Sequence, residues 1–322
     1  MSERVGELIA DRYQLTAELG RGGSSVVYRA FDAQEHREVA VKVLHESFAG
    51  REDFGVRMVR EFRAMRLLAG TAAVQAYGLV ASPAGALCLV MELLEGKDLD
   101  DHLLRPEVRG RGVSVGELLT LLQPIVRTLE RGHELGIVHR DLKPGNIFVL
   151  ARRWQGEASG EYETRASGAD ELSRRVRLLD YGFCHAADTR SITPHGTVLG
   201  SPSYIAPEVW RGCAGAPDPA IDVYSLGAIV FRLLAGRVPF EAESLKQKLE
   251  LVCTGERPSL HALRPDLPAA IDDWVAQVLA IQPRHRFSRV RALWVALQEA
   301  LGQRFELAAA QHGPESSEAS GG

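Results

Sequence analysis

The hydrophobic pattern of this chain changes its period at Gly96, and that switch limits the folds open to it. Before Gly96 the apolar residues sit in short β-branched runs. Tyr13-Gln14-Leu15 leads into Gly20-Arg21-Gly22-Gly23; Val26-Val27-Tyr28-Arg29 and Val39-Ala40-Val41-Lys42-Val43 follow, separated by turn-forming residues. These predict a small antiparallel meander, with two further strands around Val74 to Val80 and Leu87 to Leu93. One helix interrupts it: Phe54, Met58, Phe62, Met65 and Leu68 recur at steps of three and four, an amphipathic stripe over about 53–68. After Gly96 helical spacing dominates, over Val115 to Leu135, Ala220 to Leu234, Leu245 to Cys253, Ala269 to Ile281 and Val290 to Leu301. Pro124 should kink the first of these or divide it, because proline removes a backbone donor and crowds the preceding turn.

The resulting class is α+β, with a small β lobe and a larger helical one, and 322 residues are enough for both. With 38 basic and 42 acidic side chains the balance is too even to mark nucleic acid or an anionic membrane as the main partner. The longest apolar stretch, Ile221 to Leu234, is broken by Asp222 and Arg232 and is shorter than the about 20 residues of a membrane span. Met1 to Gly6 holds no apolar segment of the secretion type, so a cytoplasmic location is expected. Cys88, Cys184, Cys213 and Cys253 are too scattered for a CxxC metal or redox site. Residues 151–175, rich in Gly, Ser, Glu and Arg, read as a mobile insertion, and residues 306–322 as a disordered tail; neither is expected to carry catalysis.

Phosphate chemistry is written locally. Gly20-Arg21-Gly22-Gly23-Ser24-Ser25 lies between two strands, where missing β-carbons let backbone N–H groups approach phosphate oxygens. Lys42 closes the third strand, and Glu61 on the following helix can hold its ammonium toward phosphates. The chain has only five lysines among its 38 basic residues, and two of them, Lys42 and Lys143, fall where a compact charge would meet phosphate. The densest stretch is His139-Arg140-Asp141-Leu142-Lys143-Pro144-Gly145-Asn146, followed after the insertion by Leu178-Leu179-Asp180-Tyr181-Gly182. Asp141 can accept a hydroxyl proton, Lys143 can neutralise a moving phosphoryl group, and Asn146 with Asp180 offers the hard oxygens that Mg²⁺ prefers.

In this order the residues resemble the eukaryotic-like (Hanks-type) serine/threonine protein kinases over roughly Arg12 to Leu301. The resemblance implies a bilobal fold, with an ATP-binding N-lobe over 12–95 and a C-lobe carrying catalysis and the substrate platform over 96–305. It implies ATP and Mg²⁺, with Mn²⁺ as a substitute metal, and Ser or Thr acceptors on protein substrates. Asp141, Lys143, Lys42 and Glu61 would form the catalytic set, with Asn146 and Asp180 as metal ligands. Leu19, Gly20, Gly22 and Ser25 match the phosphate loop, with Ser25 in place of a third glycine. Val26 and Ala40 would cover the adenine, Met91 matches the gatekeeper, Glu92 and Leu94 would offer hinge backbone groups, and Asp98 would meet the ribose. Ala206-Pro207-Glu208 matches the end of the activation segment, Asp222 the buried acid of the large helix, and Arg286 the partner of Glu208.

Arg140 beside Asp141 resembles kinases whose activation segment is ordered by a phosphate; Thr197 is the expected acceptor and Thr193 the second choice, which implies autophosphorylation through self-association. Cys184 in that segment reads as an inert thiol. Where arginine-directed kinases carry two acids facing the substrate, this chain has Gly145 and Arg232, so no requirement for basic residues before the acceptor is expected; Arg232 could instead pair with Glu241 or Glu243. Two rivals share the fold, a pseudokinase and a small-molecule phosphotransferase. The complete polar set speaks against the first, and the Ala206-Pro207-Glu208 platform against the second.

Overall fold

A computed structural model describes residues 4–45, 48, 52–105, 108–151, 175–181, 202–212 and 218–302. The first lobe is a six-stranded antiparallel sheet of β1 (Leu8–Ile9), β2 (Tyr13–Arg21), β3 (Ser25–Asp32), β4 (Arg37–Leu44), β5 (Ala76–Ala81) and β6 (Leu87–Glu92), in the order β1-β2-β3-β4-β6-β5. Alternation divides it into two faces. Val26, Tyr28, Val39, Val41, Val43 and Val90 are buried in one apolar cluster. Helix α1 (Glu52–Leu67) packs its Phe54, Met58 and Met65 stripe into the larger core.

A second, three-stranded sheet joins β7 (Gly96–Asp98), β8 (Ile147–Leu150) and β9 (Val176–Leu178) in antiparallel register. Its strands are too short to show a period, which is why the sequence pattern gave no sign of it. Helix α2 (Leu99–Leu103) follows β7 and is capped by the Asp98 carboxylate, which accepts the Asp101 N–H at 2.9 Å. Helix α3 (Val115–Glu134) begins at the Ser114 cap and runs through Pro124 as one element. Seven apolar residues of its inner face, from Leu118 to Leu129, are buried, and this packing outweighs the lost donor.

The remaining helices are α4 (Pro207–Trp210), α5 (Ala220–Ala235), α6 (Leu245–Thr254), α7 (Leu260–Leu263), α8 (Ala270–Val278) and α9 (Val290–Ala300). Every residue of α5 except Ala220 and Arg232 is buried, as expected of a helix that is apolar all round. It is the axis of the second lobe. Gly227 lets α8 approach so closely that an added β-carbon would lie 2.5 Å from Val278 Cγ2.

The lobes are joined behind the site. Leu178 of β9 accepts the Val74 N–H at 3.0 Å and donates to Ala72 O at 2.7 Å, while Ala72 N–H donates to Thr128 Oγ1 of α3 at 3.0 Å. Among the described residues no helix is long and apolar enough to cross a membrane. Residues 152–174, the tail over 306–322, Cys184, Cys213, Thr193 and Thr197 lie outside the described residues.

Candidate active site

The residues singled out by the sequence gather between the two lobes. Cross-strand register sets the upper wall: Val27 pairs with Lys42, and on β6 Met91 pairs with Ala40 and Leu89 with Lys42. Val27, Ala40, Lys42, Leu89 and Met91 therefore share one face of the sheet, with Ser25 two residues before Val27. Val26 does not belong to it. It pairs with Val43 and is buried with Tyr28 and Val41 in the opposite core, so the covering position expected of Val26 passes to Val27. The sequence reading was displaced by one residue, and in a strand one residue exchanges the faces.

The β2–β3 turn is closed by the Gly22 N–H donating to Ser25 O at 2.8 Å. A β-carbon added at Gly20 would meet nothing within 4 Å, and at Gly22 only Ser25 O at 3.5 Å. The chain's own packing does not call for glycine here, which leaves close approach of another molecule as the physical use of the missing β-carbons. Leu19 beside them is exposed.

Lys42 Nζ lies 2.8 Å from Glu61 Oε1 and 2.7 Å from Asp180 Oδ1. Glu61 sits on the buried stripe of α1, seven residues after Phe54, and is 3% exposed, whereas the Asp180 side chain is half exposed. One ammonium thus faces two carboxylates. Burial pushes the Glu61 carboxyl up to about 7 against the pull of Lys42, and the Lys42 charge holds Asp180 below the usual carboxylate range.

Below, Lys143 Nζ donates to Asp141 Oδ2 at 2.7 Å, and Asn146 Nδ2 donates to Asp141 O at 2.7 Å and to Oδ2 at 3.1 Å. With its amide nitrogen engaged by Asp141, Asn146 keeps Oδ1 as its acceptor. A short 3₁₀ turn over Pro144–Asn146 shapes this loop, and Leu179 N–H donates to Asn146 O at 2.8 Å, tying it to the segment that carries Asp180. Asp180 holds φ at 45° and Arg140 at 66°, left-handed values that a non-glycine residue keeps only under constraint. The constraint on Arg140 is Asp222, fully buried, whose carboxylate accepts the N–H groups of His139 and Arg140 and bonds His133 Nε2, each at 2.8 Å. His139 bonds Leu179 O at 2.9 Å and packs on the Tyr181 ring at 5.0 Å.

At the junction of the lobes Glu92 is held by its side chain, which accepts from Gln75 N–H at 2.8 Å and from Arg177 Nε at 3.1 Å. Leu94 N–H has no backbone acceptor among the described residues. Asp98 uses one oxygen as the α2 cap. Glu208 and Arg286 form a two-point pair at 2.8 and 2.7 Å, with the Arg286 side chain fully buried. Arg232 pairs with neither Glu241 nor Glu243: its Nη2 lies 3.3 Å from Asp100 Oδ1, because α5 turns it toward α2, and Glu241 pairs with Arg237. Asp100 was not anticipated as a neighbour of this site; it meets Arg232 and accepts the Gly145 N–H of the Pro144–Asn146 turn.

Residues 13–303 match a family model described as the protein kinase domain. This chain belongs to that family. The kinase domain here is 31% identical over 303 residues to the serine/threonine-protein kinase Pkn1 of Myxococcus xanthus, covering 94% of this chain and 40% of Pkn1. It is 32% identical over 291 residues to the serine/threonine-protein kinase PknL of Mycobacterium tuberculosis, covering 90% of this chain and 66% of PknL. The chain therefore spans between two fifths and about two thirds of these relatives' length. Among solved structures, the PknI kinase domain of M. tuberculosis aligns with a TM-score of 0.65 at 25% identity, over 92% of this chain and 98% of that one. Its likeness is a match of kinase fold.

Proposed function

We propose that this chain transfers the γ-phosphoryl group of ATP to serine and threonine hydroxyls of protein substrates. The observation that carries the reading is Lys42 Nζ held at once by Glu61 of α1 and by Asp180 of the other lobe, which sets a fixed cation at the mouth of the β2–β3 loop. A kinase family model over residues 13–303 supports the same chemistry.

In this reading the division falls as an ATP-binding lobe over 12–95 and a substrate lobe over 96–305. Val27, Ala40 and Met91 line the base, the Glu92 to Leu94 segment offers backbone groups to it, Asp98 offers its second oxygen to the ribose, and Gly20 and Gly22 admit the phosphates. Asp141 orients the acceptor hydroxyl and takes its proton, Lys143 stabilises charge on the transferred group, and Lys42 holds the phosphates. Asn146 Oδ1 and the Asp180 carboxylate are hard donors that fit Mg²⁺, with Mn²⁺ as a substitute. When bound, the cation neutralises phosphate charge and orients the reacting group. Most of the rate then comes from positioning and charge stabilisation. A cytoplasmic location, the absence of nucleic acid among the partners, and autophosphorylation through self-association belong to the same reading.

Incubation with radiolabelled ATP, Mg²⁺ and a generic protein substrate, beside the Asp141→Asn variant, tests it. Label on Ser and Thr that disappears with Asp141→Asn supports the reading. ATP binding without transfer would make the chain a pseudokinase, and label on small molecules alone would make it a different phosphotransferase.

A further inference from the structure

Helix α6 buries a lysine with no acid to meet it. Lys248 is 8% exposed and lies on the inward side of the helix with Val252 and Cys253. Its ammonium donates to Ser203 Oγ at 3.0 Å and to the Phe240 carbonyl, two neutral oxygens. Glu241, next to Phe240 in the chain, pairs with Arg237 instead, and no carboxylate lies in ion-pair reach of Lys248 among the described residues. Lysine is almost never fully buried unless paired, and moving an ammonium out of water onto neutral acceptors is costly. An apolar side chain of similar length would pack this row better. The account of Lys248 therefore lies in what it holds.

Ser203 is the middle residue of a short 3₁₀ turn, Pro202–Tyr204. The chain after this turn is anchored three times: Ser225 Oγ of α5 donates to Tyr204 O at 2.8 Å, Arg286 holds Glu208, and Arg211 donates to Cys253 O at 2.8 Å. The leading half is not. Among the described residues, Lys248 makes the one side-chain bond to Pro202 or Ser203, both of which are half-buried. The turn borders the reaction site: Tyr204 stands within the charge reach of Asp100, and Asp100 accepts the Gly145 N–H between Asp141 and Asn146. Phosphates held by Lys42 come from the upper lobe, and in-line transfer places the attacking hydroxyl on the opposite side of the phosphorus, toward the lobe that carries this turn.

We propose that Lys248 is a positioning residue for the acceptor: by holding Ser203 it fixes the leading half of the Pro202–Tyr204 turn, against which the protein substrate lays the residues beside its Ser or Thr. The proposal rests on the kinase reading and adds to it a residue of α6 outside the Asp141 and Lys42 sets. Its signature is a division between binding and stability. Removing Lys248 Nζ takes a desolvated charge out of the interior and frees only the leading half of the turn, while the anchors at Tyr204, Glu208 and Arg211 stay. Substrate binding needs the bond and the fold does not.

The test compares wild type, Lys248→Met, Ser203→Ala and the double variant as full chains, with labelled ATP and dephosphorylated casein as the acceptor. Lys248→Met keeps an apolar stem in the row and removes the donor. It should raise the KM for casein by about fivefold or more, the scale of one hydrogen bond. The KM for ATP should stay within about twofold, and the melting temperature should equal or exceed that of wild type. Ser203→Ala should raise the same KM, and the double variant should go no further than the larger single effect. Amide exchange in the Pro202–Tyr204 turn should quicken in Lys248→Met, with exchange in α5 unchanged. An unchanged KM for casein, or additive effects in the double variant, overturns the positioning role and leaves the kinase reading in place. A lower melting temperature with kcat and both KM values displaced together also overturns it, and makes Lys248 a structural anchor. Absence of transfer by wild type, to casein and to itself, overturns the kinase reading and the positioning role with it.

Discussion

Asp222 Oδ1 accepts the backbone N–H of Arg140 at 2.8 Å while Arg140 holds φ at 66°, so a fully buried carboxylate fixes a strained residue next to Asp141. Burial alone would raise the Asp222 carboxyl, but the hydrogen bond from His133, the charge beside it and the His139 N–H prevail and hold it below the usual range. An acid whose folded value is depressed stabilises the fold above its unfolded value of about 4, and that contribution is lost as the pH falls through the folded value. Asp222→Ala should cost about 3–5 kcal/mol in urea unfolding at pH 7, and Asp222→Asn should flatten the acid limb of stability below about pH 4. Wild-type stability in Asp222→Ala would contradict the assignment.

Burial, which outweighs the pull of Lys42, makes an opposite prediction for Glu61. Its carboxyl is raised to about 7, so the folded state holds a proton there that the unfolded chain gives up near pH 4.3; stability from this group is present at low pH and lost as the pH rises toward 7. The melting temperature of Glu61→Gln relative to wild type should therefore climb from about pH 5 to about pH 8. The same variant should lower phosphoryl transfer, and Lys42→Met should lower it by about 100-fold or more. Thermal scans across pH and initial rates with labelled ATP check both.

Close packing of α5 on α8 depends on Gly227. Gly227→Ala places a β-carbon 2.5 Å from Val278 Cγ2 and should cost about 1–3 kcal/mol. Val278→Ala in the same chain should return a large part of that loss, which a double-mutant cycle in urea would read directly.

The Arg140 guanidinium makes no ion pair among the described residues, beside a loop expected to end in a phosphorylated segment. A phosphate brings about −1.5 to −2 charges and three acceptor oxygens, a match for an arginine. Mass spectrometry of active protein should find phosphate between residues 186 and 198, first at Thr197 and then at Thr193. Phosphatase treatment should lower the activity of wild type and leave Arg140→Ala unchanged; active protein without phosphate in that segment would sink the idea.

How much of this was legible in the sequence differs residue by residue. Lys42, Glu61, Asp141, Asn146 and Asp180 could be read because their chemistry fixes residue type within short local patterns, and the fold brings their polar atoms within 2.7 to 3.1 Å of one another in two groups. The long helices were legible because burial imposes a period on them, and α5 because it is apolar on every side. Composition cannot separate the adjacent Val26 and Val27, and only pairing with Val43 or Lys42 assigns the face. The Arg232 partner was missed because Asp100 is remote in sequence and is brought near only by the packing of α2 on the Pro144–Asn146 turn. Pro124 left two outcomes open, and tertiary burial of α3 decided between them.

The hydrogen bonds that join Ala72, Val74, Leu178 and Thr128 have a mechanical consequence. They clamp the chain just beyond the C-terminal end of α1 to the second lobe, so a tilt of α1 would pivot at that end. Glu61 stands seven residues from Leu68, a lever of about 10 Å at 1.5 Å per residue. A tilt of about 10° at the hinge moves its carboxylate by about 2 Å, enough to part it from Lys42 without disturbing the clamp. Force applied through the packing around Phe54, at the N-terminal end of α1, would thereby be converted into the presence or absence of one ion pair.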